Sequence, residues 1–197
     1  MTTTPAPKML VYIVASDRGL APNITGGFCT LAVCKPVVRH SAQPGDIIIG
    51  MSTARHGKDR MIYSMTVGEK IPFADYFNDP RFAIKKPEVS GRSGDNFFAR
   101  DELTGTYNIS SGAAHAGDDL RIRRDLRTPF AVVARDFRYF GANAPHIPDD
   151  LQQTRIVQGA VRGHRLITDT AVINRFTAWL NQNYAPGIHG TPRDLAP

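Results

Sequence analysis

At 197 residues, 42% hydrophobic and 21% charged, the chain has the size and composition of one globular domain, which argues against disorder and against two domains. Its start, MTTTPAPK, has neither the basic opening nor the apolar run of a secretory leader, and its longest apolar stretches, such as Ile47-Ile48-Ile49, are too short to cross a bilayer. A cytoplasmic protein without a membrane partner is therefore expected. The formal charge of +6 is made by eighteen Arg and six Lys against 18 acidic residues. Arginine forks suit phosphate and stack on bases, so nucleic acid or a nucleotide is the first partner to consider, although a GC-rich coding sequence raises Arg without any such role.

Residues 1–8 read as a flexible tail and 9–197 as a single domain. Residues 9–15 (MLVYIVA) form an apolar, β-branched run that suits a central strand buried on both faces. The stretch SDRGLAPNITGG that follows is a long turn region. Residues 28–34 fit either a strand or a short helix, Pro36 opens a helical turn through VVRHSA, and Pro44-Gly45 ends it. Residues 46–51 (DIIIGM) and 61–67 (MIYSMTV) read as two strands of a hairpin with a polar tip. One or two helical turns follow at 73–78, stopped before Pro80. Residues 83–128 carry little periodicity and much Gly, Ser, Asp and Arg, the mark of a binding loop, a lid or disorder. Residues 130–140 offer a second β pair or one bent strand, and 144–150 a proline-marked turn. At 168–185 an amphipathic helix is expected, capped by Thr168 or Asp169, with Val172, Phe176, Trp179 and Leu180 at helical spacing. Trp179 reads there as a core anchor.

The two cysteines, Cys29 and Cys34, would point to opposite faces of a strand, so no disulfide is expected between them. No second Cys or His pair follows at ligand spacing, so neither a structural metal nor a cofactor is implied and both read as half-buried thiols.

Three segments carry a resemblance: residues 12–50 (YIVASDRGLAPNITGGFCTLAVCKPVVRHSAQPGDIIIG), 61–87 (MIYSMTVGEKIPFADYFNDPRFAIKKP) and 137–145 (FRYFGANAP). Their signature is a D-x-G-x-A-P-N turn, then C-T-L-A-x-C-K-P, then G-D. Together they resemble the nucleotide modification associated domain 2 family, found in bacteria and phages near genes for DNA base modification. The resemblance covers about two thirds of the chain and leaves residues 151–197 outside it. It implies a role around modified nucleotides, in a modification or defence system, without naming a reaction.

The order of elements separately resembles PUA-like domains, a group that includes EVE and ASCH domains. What that resemblance implies is an α+β fold: a small mixed, mostly antiparallel β-barrel with flanking helices and the C-terminal helix. It also implies a pocket for a flipped or free base, with aromatic walls and a basic rim. Function is still argued from the site.

The loop from Asp17 to Asn23 leaves a buried strand, where binding loops sit. Asp17 and Asn23 are candidates to read a base edge, and equally to satisfy their own turn. Of the aromatics Tyr12, Tyr63, Phe97, Phe98, Tyr139 and Phe140, only one or two are expected at a ligand, with Tyr63 or Phe140 the candidate wall. Lys35 and Arg39, on one helix face, with Arg81, Lys85 and Lys86, are candidates for a phosphate rim, or a solvated face. RIRRDLR, holding Arg121, Arg123, Arg124 and Arg127, reads as a flexible basic strap that orders on phosphate.

His115 with Asp118 and Asp119 permits acid–base chemistry, but H-E-x-x-H, G-x-S-x-G, the zinc deaminase pattern and the P-loop are all absent from the sequence. The leading expectation is a binding module for a nucleotide or modified base in nucleic acid. An enzyme acting on nucleotides or DNA bases is second, with Asp17, Asn23, His115 and Asp118 as participants. A protein-interaction subunit docking through 151–197 is third. A tight His–Asp–Cys cluster in a deep cleft would favour the second, and an exposed apolar face on the C-terminal helix the third.

Overall fold

The computed structural model describes residues 6–157 and 163–195, so residues 1–5 of the expected tail lie outside the described residues. In chain order the first elements are β1 (Met9–Ile13), β2 (Cys29–Leu31), α1 (Pro36–Ser41), β3 (Ile47–Met51), β4 (Met61–Thr66), β5 (Glu69–Pro72), α2 (Phe73–Asn78), α3 (Pro87–Ser90), β6 (Phe98–Arg100) and β7 (Tyr107–Ile109). There follow α4 (Asp119–Leu126), β8 (Phe130–Ala134), β9 (Phe137–Tyr139), α5 (Asp149–Gln152), β10 (His164–Ile167), α6 (Thr170–Asn183) and β11 (Gly187–Ile188).

The unbroken apolar run of β1 is explained by burial on both sides. Leu10 and Tyr12 enter one hydrophobic cluster, while Met9 and Val11 enter another. β1 lies inside a six-stranded sheet of order β10-β1-β3-β4-β9-β11, parallel to β3 and antiparallel to β10. The β3–β4 pair is the antiparallel hairpin that DIIIGM and MIYSMTV suggest. On the Met9 side, α6 covers the sheet with Val172, Ile173, Phe176 and Leu180, and Asp169 caps that helix by accepting from the Ala171 and Val172 amides. Trp179 packs against the same cluster, its ring beside Phe176 and Tyr184.

A second sheet, β2-β8-β5, packs on the Leu10 side. β8 also alternates between two buried faces, with Val132 and Ala134 toward the first sheet, and Ala131 and Val133 toward a third cluster around Phe73, Tyr76, Phe82 and Phe97. A small β6-β7 ribbon completes the described strands. The fold is thus mixed α and β with several antiparallel pairings, and the closed barrel expected from the sequence is not formed. A barrel gives each strand one inward face, whereas β1 and β8 each bury two. Residues 130–140 are likewise not a β pair: β8 belongs to the second sheet and β9 to the first. The long aperiodic stretch 83–128 folds into short elements, and the expected strap RIRRDLR is helical, forming most of α4.

Candidate functional site

The sequence-nominated base readers face inward. Asp17 is 1% exposed; its Oδ1 accepts from the Tyr139 hydroxyl at 2.6 Å and its Oδ2 from the Arg193 amide at 3.1 Å. The Asn23 amide nitrogen donates to the Gly19 and Ser93 carbonyls, while its Oδ1 accepts from the Thr25 amide and from Lys85 Nζ at 2.8 Å. Tyr63 is fully buried and shares a hydroxyl hydrogen bond with Tyr12 at 2.8 Å, and Phe140 sits in the cluster beneath α6, stacked on His189. Tyr63 and Phe140 belong to different clusters, and neither lines the large cavity described below.

The basic candidates divide. Lys85 is buried, donating to the Asn23 side chain and to the Asn23 and Phe28 carbonyls. Burial holds its ammonium below the usual lysine range, against the opposing pull of Asp95. Arg39 is buried too: its guanidinium donates to the carbonyls of Cys34, Asp125, Thr128 and Phe130, and lies 3.7 Å from Asp125 Oδ1. Burial pulls it down to about 10, with Asp125 opposing. Arg39 and Lys85 therefore act as internal braces. Lys86 lies over the Phe77 ring, and Arg81 is tied to Glu69 and Asp79. Arg121, Arg123, Arg124 and Arg127 are all exposed on or just after α4.

What these braces support is a cavity of about 980 Å³, lined by the loop leaving β1, the start of α1, His115, and α4. Arg18, Lys35, Arg121 and Arg124 converge on it, and among the described lining residues there is no carboxylate. Val14, Leu20 and Ala21 supply an aliphatic part of the wall, and Leu195 another. Lys35 reaches back across the Tyr12 ring to donate to the Ile13 carbonyl at 3.0 Å. Burial, with Arg124 adding to it and Cys34 opposing, lowers its pKa below the ordinary lysine value. The C-terminal stretch is pinned beside the cleft: the Asp17 amide donates to Asp194 Oδ2 and the Asp194 amide to the Asp17 carbonyl.

At the cleft, three side chains from distant parts of the chain meet. Cys34 Sγ lies 3.9 Å from His115 Nε2, and His115 Nδ1 lies 2.8 Å from Asp125 Oδ2. The second carboxylate oxygen, Oδ1, accepts from the Cys34 amide at 2.7 Å. Asp125 is fully buried, His115 is 2% exposed, and Cys34 is half-buried at the rim. Cys34 and Lys35 have φ of 58° and 43°, the described non-glycine residues in the left-handed region, where a side chain costs about 1–3 kcal/mol. Burial alone would depress the His115 ring, but the hydrogen bonds to Asp125 and Cys34 outweigh it and raise the ring to about 9. Cys29 contrasts with Cys34: it is fully buried and burial pushes its thiol up to about 12.

The architecture explains how these residues come together. Ile122, Asp125 and Leu126 form the inward stripe of α4, with Ile122 and Leu126 on the third cluster. Asp118, nominated with His115, instead caps α4 by accepting from the Arg121 amide. Asp125 was missed because RIRRDLR hides one inward carboxylate among arginines. The signal was its place three residues after Ile122.

A model of the nucleotide modification associated domain 2 family matches residues 6–196. The chain belongs to that family. The match takes in the segment after residue 150, which the sequence resemblance left out, as well as Cys34, His115 and Asp125. No curated protein matches the chain, and no solved structure does. Membership of the nucleotide modification associated domain 2 family associates the chain with nucleotide modification. No helix among the described residues is long and apolar enough to cross a membrane, and none of their His, Cys, Asp and Glu side chains form a group of three or more suited to a metal.

Proposed function

We propose that this member of the family binds a nucleotide or modified nucleotide, free or at an accessible position in nucleic acid, in the cleft between the β1 loop, α1 and α4. The carrying observation is the convergence of Arg18, Lys35, Arg121 and Arg124 on one concavity whose described lining bears no carboxylate. Four basic side chains on a 980 Å³ cleft, of which Arg121 also pairs with Asp118 at 3.1 Å, suit a phosphate-bearing ligand of nucleotide size. The aliphatic wall of Val14, Leu20 and Ala21 gives a base or sugar an apolar surface. A smaller cavity of about 380 Å³ at Glu69, Arg135 and Asp136 presents both signs of charge, and fits an anion less well.

Family membership supports the same reading. A docking role through the C-terminal helix is less favoured, because the apolar face of α6 is already covered: among the described residues, none of the exposed large hydrophobics belongs to it.

The test is a calorimetric screen of nucleoside mono- and triphosphates, and of modified against plain oligonucleotides, at two salt concentrations. Binding that weakens with salt, and weakens further in an Arg121→Ala/Arg124→Ala double variant, supports the proposal. A protein that binds none of these at about 50 mM salt removes it.

A further inference from the structure

We propose that Cys34 is a catalytic nucleophile with His115 as its proton partner and Asp125 as the residue that positions His115, cleaving a C–N bond at an sp2 carbon of a phosphate-bearing substrate. The substrate's phosphate rests on the binding reading of the cleft; the activation of the thiol does not.

Four observations converge on this arrangement. The sulfur faces one ring nitrogen of His115 and a buried carboxylate holds the other, which is the nucleophile–base–orienter order of acyl-transfer sites. Those three residues are 81 and 10 positions apart in sequence, so local chain geometry does not impose their meeting. The thiol stands at the rim of the large cavity, where a substrate carbon has access, whereas Cys29 is sealed in the core. Finally, the backbone bends through two consecutive left-handed residues at Cys34 and Lys35, and strain of that kind concentrates at functional sites.

Arg39 completes the support. Its guanidinium sits beside Asp125 and also binds the Cys34 carbonyl, so one buried cation braces both ends of the cluster. The other buried carboxylate network differs: Asp95 accepts from Thr30 and Tyr76 hydroxyls and belongs to no described cavity lining.

The Cys34 thiolate adds to the substrate carbon, which for a carboxamide is the carbonyl carbon. The C–N bond breaks, the amine leaves with the proton from His115 Nε2, and a thioester remains on Cys34. Water gives one proton to His115 and its remaining hydroxyl to the thioester carbon; the C–S bond breaks, releasing the carboxylic acid and restoring the Cys34 thiolate beside protonated His115. No oxidant, reductant or metal takes part. For an amidine carbon the same sequence exchanges nitrogen for oxygen.

The groups that face His115 set its pH response: Cys34 and Asp125 in direct contact, Arg39 behind Asp125, and Lys35, Arg121 and Arg124 across the cleft. Full-length protein is tested with two probes, iodoacetamide and p-nitrophenyl acetate. Native wild type is expected to alkylate at Cys34 alone at pH 7, roughly tenfold faster than the same thiol in urea-unfolded protein. With the ester, p-nitrophenolate is released, acetylated Cys34 is found by mass spectrometry, and turnover continues; Cys34→Ser abolishes it and His115→Gln lowers it about 100-fold. Asp125→Asn keeps the bond to the Cys34 amide; it is expected to reduce turnover and to move the basic limb of the pH profile toward acid, which a purely structural role leaves in place.

Because His115→Gln risks misfolding, the comparison of native with unfolded wild type stands independently of any variant. Alkylation no faster in the native protein, or ester release unchanged in Cys34→Ser, overturns the proposal. Nucleotide binding measured on folded Cys34→Ser protein stands or falls separately, so the two readings fail on different results.

Discussion

His115 holds its proton because Asp125 and Cys34 outweigh the burial that would remove it. The folded-state pKa of about 9 lies above the ordinary histidine value of 6.5, so the protonated ring stabilises the fold fully below pH 6.5. That contribution is lost as pH rises through about 9. Urea midpoints of wild type and His115→Gln are therefore expected to differ most at pH 6 and to converge by pH 10. A gap that widens with pH would show the sign to be wrong. Arg39→Met would take the Arg39 cation from the buried Asp125 carboxylate and one donor from each of the Cys34, Asp125, Thr128 and Phe130 carbonyls, at a cost of about 3–5 kcal/mol in urea unfolding. At Gly50 the restriction is steric: the Tyr63 ring occupies the space where a Cβ would stand. Gly50→Ala is expected to cost about 1–3 kcal/mol, with a lower urea midpoint at unchanged slope. None of these three roles is written in local sequence. Arg39 looks like half of a solvated pair with Lys35, and its burial follows only from where Asp125 and the Thr128 and Phe130 carbonyls fall.

Among the elements, α4 carries the sharpest division of labour. Ile122, Asp125 and Leu126 turn inward, Arg121 and Arg124 line the cleft, and Arg123 and Arg127 are not among its lining residues. If the cleft is where phosphate binds, Arg121→Ala/Arg124→Ala should lower the slope of log affinity against log salt by about one unit per residue, with Arg123→Ala/Arg127→Ala changing it little. Equal effects of the two pairs, measured by fluorescence anisotropy with a labelled oligonucleotide, would mean a diffuse basic surface instead. The sequence made this element visible as charge and invisible as helix. Four arginines in seven residues mask the inward stripe, because only Ile122 and Leu126 remain as apolar markers. β1, β3, β4 and α6 were easier, since their burial is recorded by unbroken apolar runs or by helical spacing.

Over the whole molecule, strand identity was legible and strand partnership was not. Residues 130–140 contain two strands, but nothing local says that the chain changes sheets between Ala134 and Phe137. The loop from Asp17 to Asn23 shows the same limit: its polar residues are conspicuous in sequence, yet long-range partners, Tyr139, Arg193, Ser93 and Lys85, consume them. The candidate site was half visible for that reason. His115 stood out, while its partners lie 81 residues before it and ten after it.

The position of Trp179 has a spectroscopic consequence. It is the sole tryptophan, and it packs with Phe176 and Tyr184 on the face of the six-stranded sheet opposite the Tyr12 side, where the cleft opens. Tryptophan emission should therefore report the undocking of α6 cleanly and remain nearly silent when a ligand fills the cleft. A nucleotide titration followed only by intrinsic fluorescence would then read as no binding, even with the site saturated. A label on Cys34 would sense the opposite half of the protein, so emission from the two positions separates local events at the cleft from loss of the fold.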